Sequence, residues 1–103
     1  MIIEWWKGAK DDLDAIYEYY VVLSQQAAVK IYNEILDAVD GLLVFPEAYP
    51  IEPLIKSAKY CFRSCVVIHG HYKIIYFIDN EKIIITHIWD CRRDPDTIRQ
   101  SIY

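Results

Sequence analysis

The sequence predicts an α+β domain: an N-terminal strand, then an antiparallel helix hairpin packed on an antiparallel β-sheet, in the order β-α-α-β-β-β, with a short C-terminal helix. Three observations carry this. Apolar residues recur at helical spacing through residues 9–44, residues 60–89 fall into three β-branched and aromatic runs, and prolines separate the two regions. At 103 residues the chain makes a single domain spanning 1–103, because domains mostly run to about 100–150 residues and a second would have no core of its own. With 54% apolar and 25% charged residues, and only three Gly and four Pro, a disordered or collagen-like chain is excluded.

Ile2 to Trp6, short, β-branched and aromatic, reads as the opening strand. After Gly8 the period changes. Ala9, Leu13, Ile16, Tyr17 and Tyr20 form one stripe of an amphipathic helix, whose other face holds Lys10, Asp11, Asp12, Asp14 and Glu18. The acids lie near the N-terminus, where the helix dipole favours them. Ser24 suits the N-cap of a second helix, in which Ala28, Ile31, Ile35, Val39 and Leu42 repeat at three- and four-residue steps to about Val44. With almost no loop near residue 23, the two helices must form an antiparallel hairpin. Phe45-Pro46 ends the second helix, and Pro46, Pro50 and Pro53 make an extended connection. Strands are expected at Tyr60–Ile68, Tyr72–Ile78 and Lys82–Trp89, joined by two-residue turns at His69-Gly70 and Asn80-Glu81. Asp94-Pro95 then reads as N-cap and N1 of the terminal helix.

Two-residue turns fix the register. Lys73 is expected opposite Val66 and Ile88. One sheet face then carries Phe62, Ser64, His71, Lys73, Ile75, Phe77, Ile84, Thr86, Ile88 and Asp90. The other carries Cys61, Cys65, Val67, Tyr72, Ile74, Tyr76, Ile78, Ile83, Ile85 and Trp89. The second set is more apolar and is expected under the helices, which leaves the first open. A one-residue slip would exchange the two sets.

Charge is split along the chain. Residues 1–55 hold three basic and ten acidic groups, and residues 56–103 hold eight basic and five acidic ones. A local basic patch is therefore compatible with the net charge of −4. The N-terminus, Met1-Ile2-Ile3-Glu4-Trp5-Trp6-Lys7, is no signal peptide by its pattern, and no apolar run approaches the ~18 residues of a membrane span. Three cysteines, an odd number, suit reduced thiols. A cytoplasmic location without membrane contact is expected.

Motif by motif, little enzyme chemistry is supported. Gly8, Gly41 and Gly70 stand alone, so no phosphate-cradling loop is present, and neither G-x-S-x-G nor H-E-x-x-H occurs. Cys61 and Cys65 share a strand face and are expected to be buried thiols; Cys91 and the scattered His69, His71 and His87 add no paired ligand spacing. No metal and no cofactor are expected. His69 and His71 bracket Gly70 as ordinary turn residues, with a proton- or phosphate-handling role for His71 as the alternative if it lies beside Lys73. Arg92-Arg93, directly after the last strand, has two readings. It is either a surface ion-pair cluster with Asp90, Asp94 or Asp96, or one side of an anion-binding surface shared by Lys73 and Arg93.

The run Ala9-x-x-Asp12-Leu13-x-x-Ile16-x-x-Tyr19, the ending Leu42-x-x-Phe45-Pro46, and Tyr72-Lys73-Ile74-Ile75-Tyr76 followed by Ile85-x-x-Ile88-x-Asp90-x-Arg92-Arg93-Asp94-Pro95 resemble the RelE/ParE superfamily. These are toxins of bacterial type II toxin–antitoxin modules, of the plasmid-stabilisation kind. The similarity covers nearly the whole chain in the family's order and implies the same fold. It also implies growth inhibition neutralised by a cognate antitoxin, with operator DNA bound only through that antitoxin. RelE-like members cleave messenger RNA on the ribosome, and Lys73 and Arg93 match basic residues of that catalytic set. Where many ribonuclease members carry tyrosine six residues beyond the Arg93 position, this chain has Arg99, with Tyr103 one helical turn on. ParE-like members inhibit DNA gyrase, and the helix-hairpin pattern and the Arg-Arg-Asp-Pro ending resemble that branch more closely. The resemblance thus favours gyrase inhibition, with a ribonuclease or a decayed, non-toxic antitoxin-binding protein as alternatives. Whether the chain is an enzyme turns on that choice. His71, Lys73, Ile75, Phe77, Ile84, Ile88, Arg92 and Arg93 are the expected target- or antitoxin-binding residues.

Overall fold

In the computed structural model, which describes residues 1–93, 95 and 97, strand β1 (Ile2–Trp5) runs almost directly into helix α1 (Lys7–Val21), and helix α2 (Gln25–Gly41) follows after three residues. Trp6, extended at φ −69° and ψ 152°, is the α1 N-cap and supplies no side-chain hydrogen bond. The helix starts two residues before its apolar stripe, so Asp11, Asp12 and Asp14 lie beyond the first turn, which holds no acidic residue. The expected dipole effect therefore does not apply, since it fades within one turn. Ser24 caps α2 as expected, its Oγ accepting the Ala27 N–H at 3.2 Å. The helix stops at Gly41 rather than Val44. Leu42, Leu43 and Val44 donate to carbonyls three residues back, at 3.1, 3.1 and 3.2 Å, a tighter winding than the α-helix.

Strands β2 (Arg63–Val67), β3 (Tyr72–Asp79) and β4 (Lys82–Asp90) form the expected antiparallel meander. β1 joins β4 in parallel, from Ile2 beside Lys82 to Trp5 beside Ile85, giving the order β1-β4-β3-β2. His69 and Gly70, at φ 53° and 86°, make the first tight turn, and Asn80 at φ 56° opens the second. Ile68, just before the first turn, also takes a positive φ of 52°, a strained conformation for a β-branched residue. The terminal helix expected from Asp94, and Arg99 and Tyr103 with it, lie outside the described residues.

The β2–β3 register is the expected one, with Val66 beside Lys73. The β3–β4 register is as expected only near the turn, from Asp79 beside Lys82 to Tyr76 beside Ile85. There a bulge inserts Thr86, and beyond it Ile74 pairs with Ile88 and Lys73 with Trp89. Lys73 therefore does not face Ile88. Thr86 is buried, and its hydroxyl donates to the Ile75 carbonyl at 3.1 Å. The same oxygen lies 3.0 Å from His87 Nδ1. Having given its one proton to a carbonyl, it accepts from His87, which places the ring proton on Nδ1.

The bulge also reassigns three side chains between the faces, Asp90 moving with Ile88 to the side of Tyr72 and the helices. Ile88 joins the main core with Ala9, Leu13, Ile35, Ile74 and Ile83, under the helices. Trp89 turns to the opposite face. That face is not open. The segment after α2 runs along the outer edge of β2, where the Glu52 N–H donates to the Phe62 carbonyl at 2.8 Å and the Ser64 N–H to the Pro50 carbonyl at 3.0 Å. Leu54, Ile55, Tyr60 and Phe62 then fold over Ile75, Phe77, Ile84 and Trp89 as a second core. Tyr60 stacks on Phe77 at 4.0 Å between centroids. Ile75, Phe77, Ile84 and Ile88, expected on an exposed face, are all buried, at 0%, 3%, 4% and 3% exposure. The physical reason is the cost of leaving apolar surface in water, roughly 25 cal/mol per Å², which this proline-rich strap removes for the first three and the helices remove for Ile88. Tyr76 anchors the start of the strap by donating its hydroxyl to the Pro46 carbonyl at 2.7 Å, and burial pushes its pKa up to about 12.

Of the cysteines, Cys65 is buried as expected, whereas Cys61 is exposed because regular pairing begins only at Arg63. Among the described residues no helix is long and apolar enough to cross a membrane.

Candidate functional site

The last residues of β4 emerge beside the middle and C-terminal half of α1, and the groove between them has a volume of about 400 Å³. Ile16 and Ile88 form its apolar floor, while Asp12, Tyr72, Arg92 and Arg93 supply polar groups. Helical spacing explains the first of these. Asp12 precedes Leu13 and lies three residues after Ala9, at the border of the buried stripe, so its carboxylate points along the helix–sheet seam. There Oδ2 accepts the Ile88 N–H at 3.1 Å. Burial pushes the Asp12 carboxyl above the usual range, and the hydrogen bond from Ile88 and the charge of Arg93 oppose that shift.

Arg92 folds back on Asp90. Its Nε and Nη2 donate to the two carboxylate oxygens at 2.9 and 3.0 Å, and its backbone N–H adds a third bond at 2.9 Å. The guanidinium beside it holds the Asp90 carboxyl below the usual range. Arg92 Nη2 also donates to the Tyr72 hydroxyl at 3.2 Å, which itself donates to the Tyr20 hydroxyl at 3.5 Å. Burial and this contact raise the Tyr72 pKa. Arg93 takes another direction, its guanidinium lying 4.4 Å above the Trp89 ring centroid. A cation over an indole face is favourable by about 0.5–2 kcal/mol.

The expected cation pair is only half assembled. Lys73 and Arg93 both approach Trp89, one as its ladder partner and the other over its ring. However, the Lys73 ammonium is bonded to the Glu52 carboxylate, whose side chain is fully buried in the strap. The other Glu52 oxygen accepts the Leu54 N–H at 3.2 Å. His71 is exposed at its turn, and its carbonyl accepts the Cys91 N–H at 2.9 Å, which ties the turn to the strand exit. Arg92 and Arg93 are exposed. Among the described residues, no cluster of three or more His, Cys, Asp or Glu is placed to hold a metal ion.

Sequence reading missed Asp12, Tyr72 and Glu52 as parts of this region. The border position of Asp12 on its helix was a usable signal. Glu52, in a segment without periodicity, gave none.

The Asp12 shift carries a pH signature. A carboxyl whose folded pKa is raised favours folding in its protonated form; that contribution is complete below the unfolded value of about 3.9 and is lost as pH rises through the folded value. Asp12→Asn, which keeps an acceptor without the charge, should therefore melt at the same or a higher temperature than the wild type at pH 7. The difference should shrink as pH falls through the carboxyl titration. A marked loss of stability at pH 7 in thermal melts would contradict this reading.

Comparison with known proteins agrees with this fold. A family model described as ParE toxin of the type II toxin-antitoxin system, parDE, matches residues 3–95. A solved structure of the chromosomal ParDE TA system from P. aeruginosa superposes with a TM-score of 0.73 at 25% identity, covering 87% of this chain and 95% of that one. No curated protein matches the sequence.

Proposed function

Since the chain belongs to the ParE toxin family of type II toxin–antitoxin systems, we propose that this toxin arrests growth by inhibiting DNA gyrase and is held in check by a cognate antitoxin. The observation that carries gyrase over messenger RNA is the Lys73–Glu52 ion pair. Cleaving RNA by ribose 2′-OH attack needs free cationic groups where charge develops on the phosphate. Lys73 has its charge compensated by a buried carboxylate, and Arg92 is committed to Asp90. The strap also covers the sheet face on which such chemistry would take place. The acidic helix hairpin favours a protein target over ribosomal RNA, which it repels.

The antitoxin surface belongs with the groups that stay accessible: His71, Arg92 and Arg93 at the strand exit. These suit an acidic, flexible segment that is steered by charge and folds as it binds.

Purified toxin should inhibit gyrase supercoiling and leave messenger RNA intact on programmed ribosomes. Arg93→Glu, at an exposed position, should weaken gyrase inhibition and antitoxin affinity by about ten-fold or more, while the protein stays folded and melts only a few degrees lower for the loss of the Trp89 contact. Codon-phased RNA cleavage with gyrase untouched would reverse the assignment. Normal growth on induction, with soluble protein confirmed, would point instead to a decayed antitoxin-binding protein.

A further inference from the structure

Ile88 is buried beyond the reach of β1, whose pairing with β4 stops at Ile85. A buried backbone N–H needs a partner, and the Asp12 carboxylate supplies it through Oδ2. Among the described residues no donor is bonded to the other oxygen, Oδ1, and no ion pair includes Asp12. Neither arginine nearby serves it. Arg92 is held by Asp90, and the Arg93 guanidinium lies over Trp89, on the opposite sheet face. A half-buried carboxylate without a counter-charge is costly to keep ionised, and an amide oxygen would serve Ile88 as well.

The surroundings say what completes it. Asp12, Ala15, Ile16 and Tyr19 line the groove from one side of α1, three and four residues apart, and Ile88 closes the floor. The stripe runs on past the groove to Val22 and Leu23 at the hairpin tip, and Tyr19, Val22 and Leu23 are 58%, 82% and 70% exposed. The surface is therefore apolar along about three helical turns and ends on one unpaired negative charge. Asp14 and Glu18, exposed on the same helix, add to its sign, while Arg92 and Asp90 cancel each other. An acidic segment, the kind that suits the strand exit, is repelled here. A lysine or arginine fits: its methylene stem covers Ile16, Ile88 and the Tyr19 ring, and its head reaches Oδ1. The groove, at about 400 Å³, has room for such a side chain.

We propose that the groove between α1 and the end of β4 is a target contact, which receives one lysine or arginine set in an apolar surface of gyrase, with Asp12 as its counter-ion. This rests on the reading of gyrase as the target. Tyr19, Val22 and Leu23 cover the apolar surface around the bound cation.

Asp12→Asn keeps an acceptor for the Ile88 N–H and removes the charge. The variant should melt no lower than the wild type and show unchanged hydrogen exchange at the Ile88 amide, yet bind gyrase about ten-fold or more weakly in calorimetry. Its affinity for the cognate antitoxin should not fall. Tyr19→Ala, at an exposed position, should weaken gyrase binding about five-fold. Undiminished gyrase binding by Asp12→Asn would overturn the proposal and leave Asp12 as the anchor of β4 alone. A loss confined to antitoxin affinity would overturn it too, by giving the groove to the antitoxin. N-acetyl-arginine amide tests the groove without gyrase. At millimolar concentration it should shift the Ile88 amide and Tyr19 ring resonances of the wild type, and not those of Asp12→Asn. If wild-type toxin does not bind gyrase while this shift appears, the target reading fails and the site for a basic side chain stands. No shift, or an equal one from N-acetyl-glutamate amide, overturns the site itself.

Discussion

Phe77→Asp should leave no cooperatively folded protein at 37 °C. Phe77 is 3% exposed, stacks on Tyr60, and meets Trp6 and Phe62 edge-on at 5.8 and 5.3 Å. Removing a buried phenylalanine costs about 3–5 kcal/mol, and a carboxylate in its place adds a desolvation penalty of several more. Together these equal much or all of the roughly 5–15 kcal/mol that holds a domain together. Had the sheet face been open, the same substitution would cost little and act only on partner binding. Circular dichroism melts decide between the two: a folded variant with near-native melting would mean that the strap does not form a core in solution.

The second large effect concerns Glu52. Glu52→Ala should destabilise by about 3–5 kcal/mol, because it strands the mostly buried Lys73 ammonium without its counter-charge. In a domain of this size that lowers the melting temperature by roughly 12 °C or more. The compensated double variant Glu52→Leu/Lys73→Met should behave oppositely. Replacing a buried ion pair by apolar residues of similar volume is often neutral or stabilising by about 1–4 kcal/mol. Denaturant midpoints for the two single variants and the double one complete the cycle. Equal destabilisation in the double variant would mean that the pair sustains the strap in a way apolar packing cannot replace.

The elements were legible because their periods are clean. Ala9, Leu13 and Ile16 mark one helix face, Ser24 caps the next helix, and Asn80 sets a tight turn. Two things escaped. Period-two reasoning carries a register outward from a turn but has no means of detecting an inserted residue. Thr86, β-branched and in a β-branched run, looks like any other strand residue, so Ile88 and Trp89 were assigned to each other's faces. The strap escaped for a different reason. Leu54 and Ile55 follow neither helical nor strand spacing, Tyr60 and Phe62 read as the start of the next strand, and only the apolar character of the face they cover implied that something must lie there. The candidate site suffered from both. Arg92 and Arg93 were found from their position after the last strand, but the partner of Lys73 sits in the strap and the partner of Ile88 sits on a helix 76 residues away.

The pairing of β1 with β4 has a consequence for synthesis. Ile2 lies beside Lys82, 80 residues later in the chain. At translation rates of about 5–20 residues per second, that interval lasts roughly 4–16 s, during which the first strand has no partner to pair with. The full four-stranded sheet, the Trp6 bond to Ile85 and the groove that depends on both can form only when β4 has emerged. A nascent toxin is therefore unarmed. The groove appears only once β4 has emerged, and an antitoxin already present meets a surface that did not exist a few seconds before.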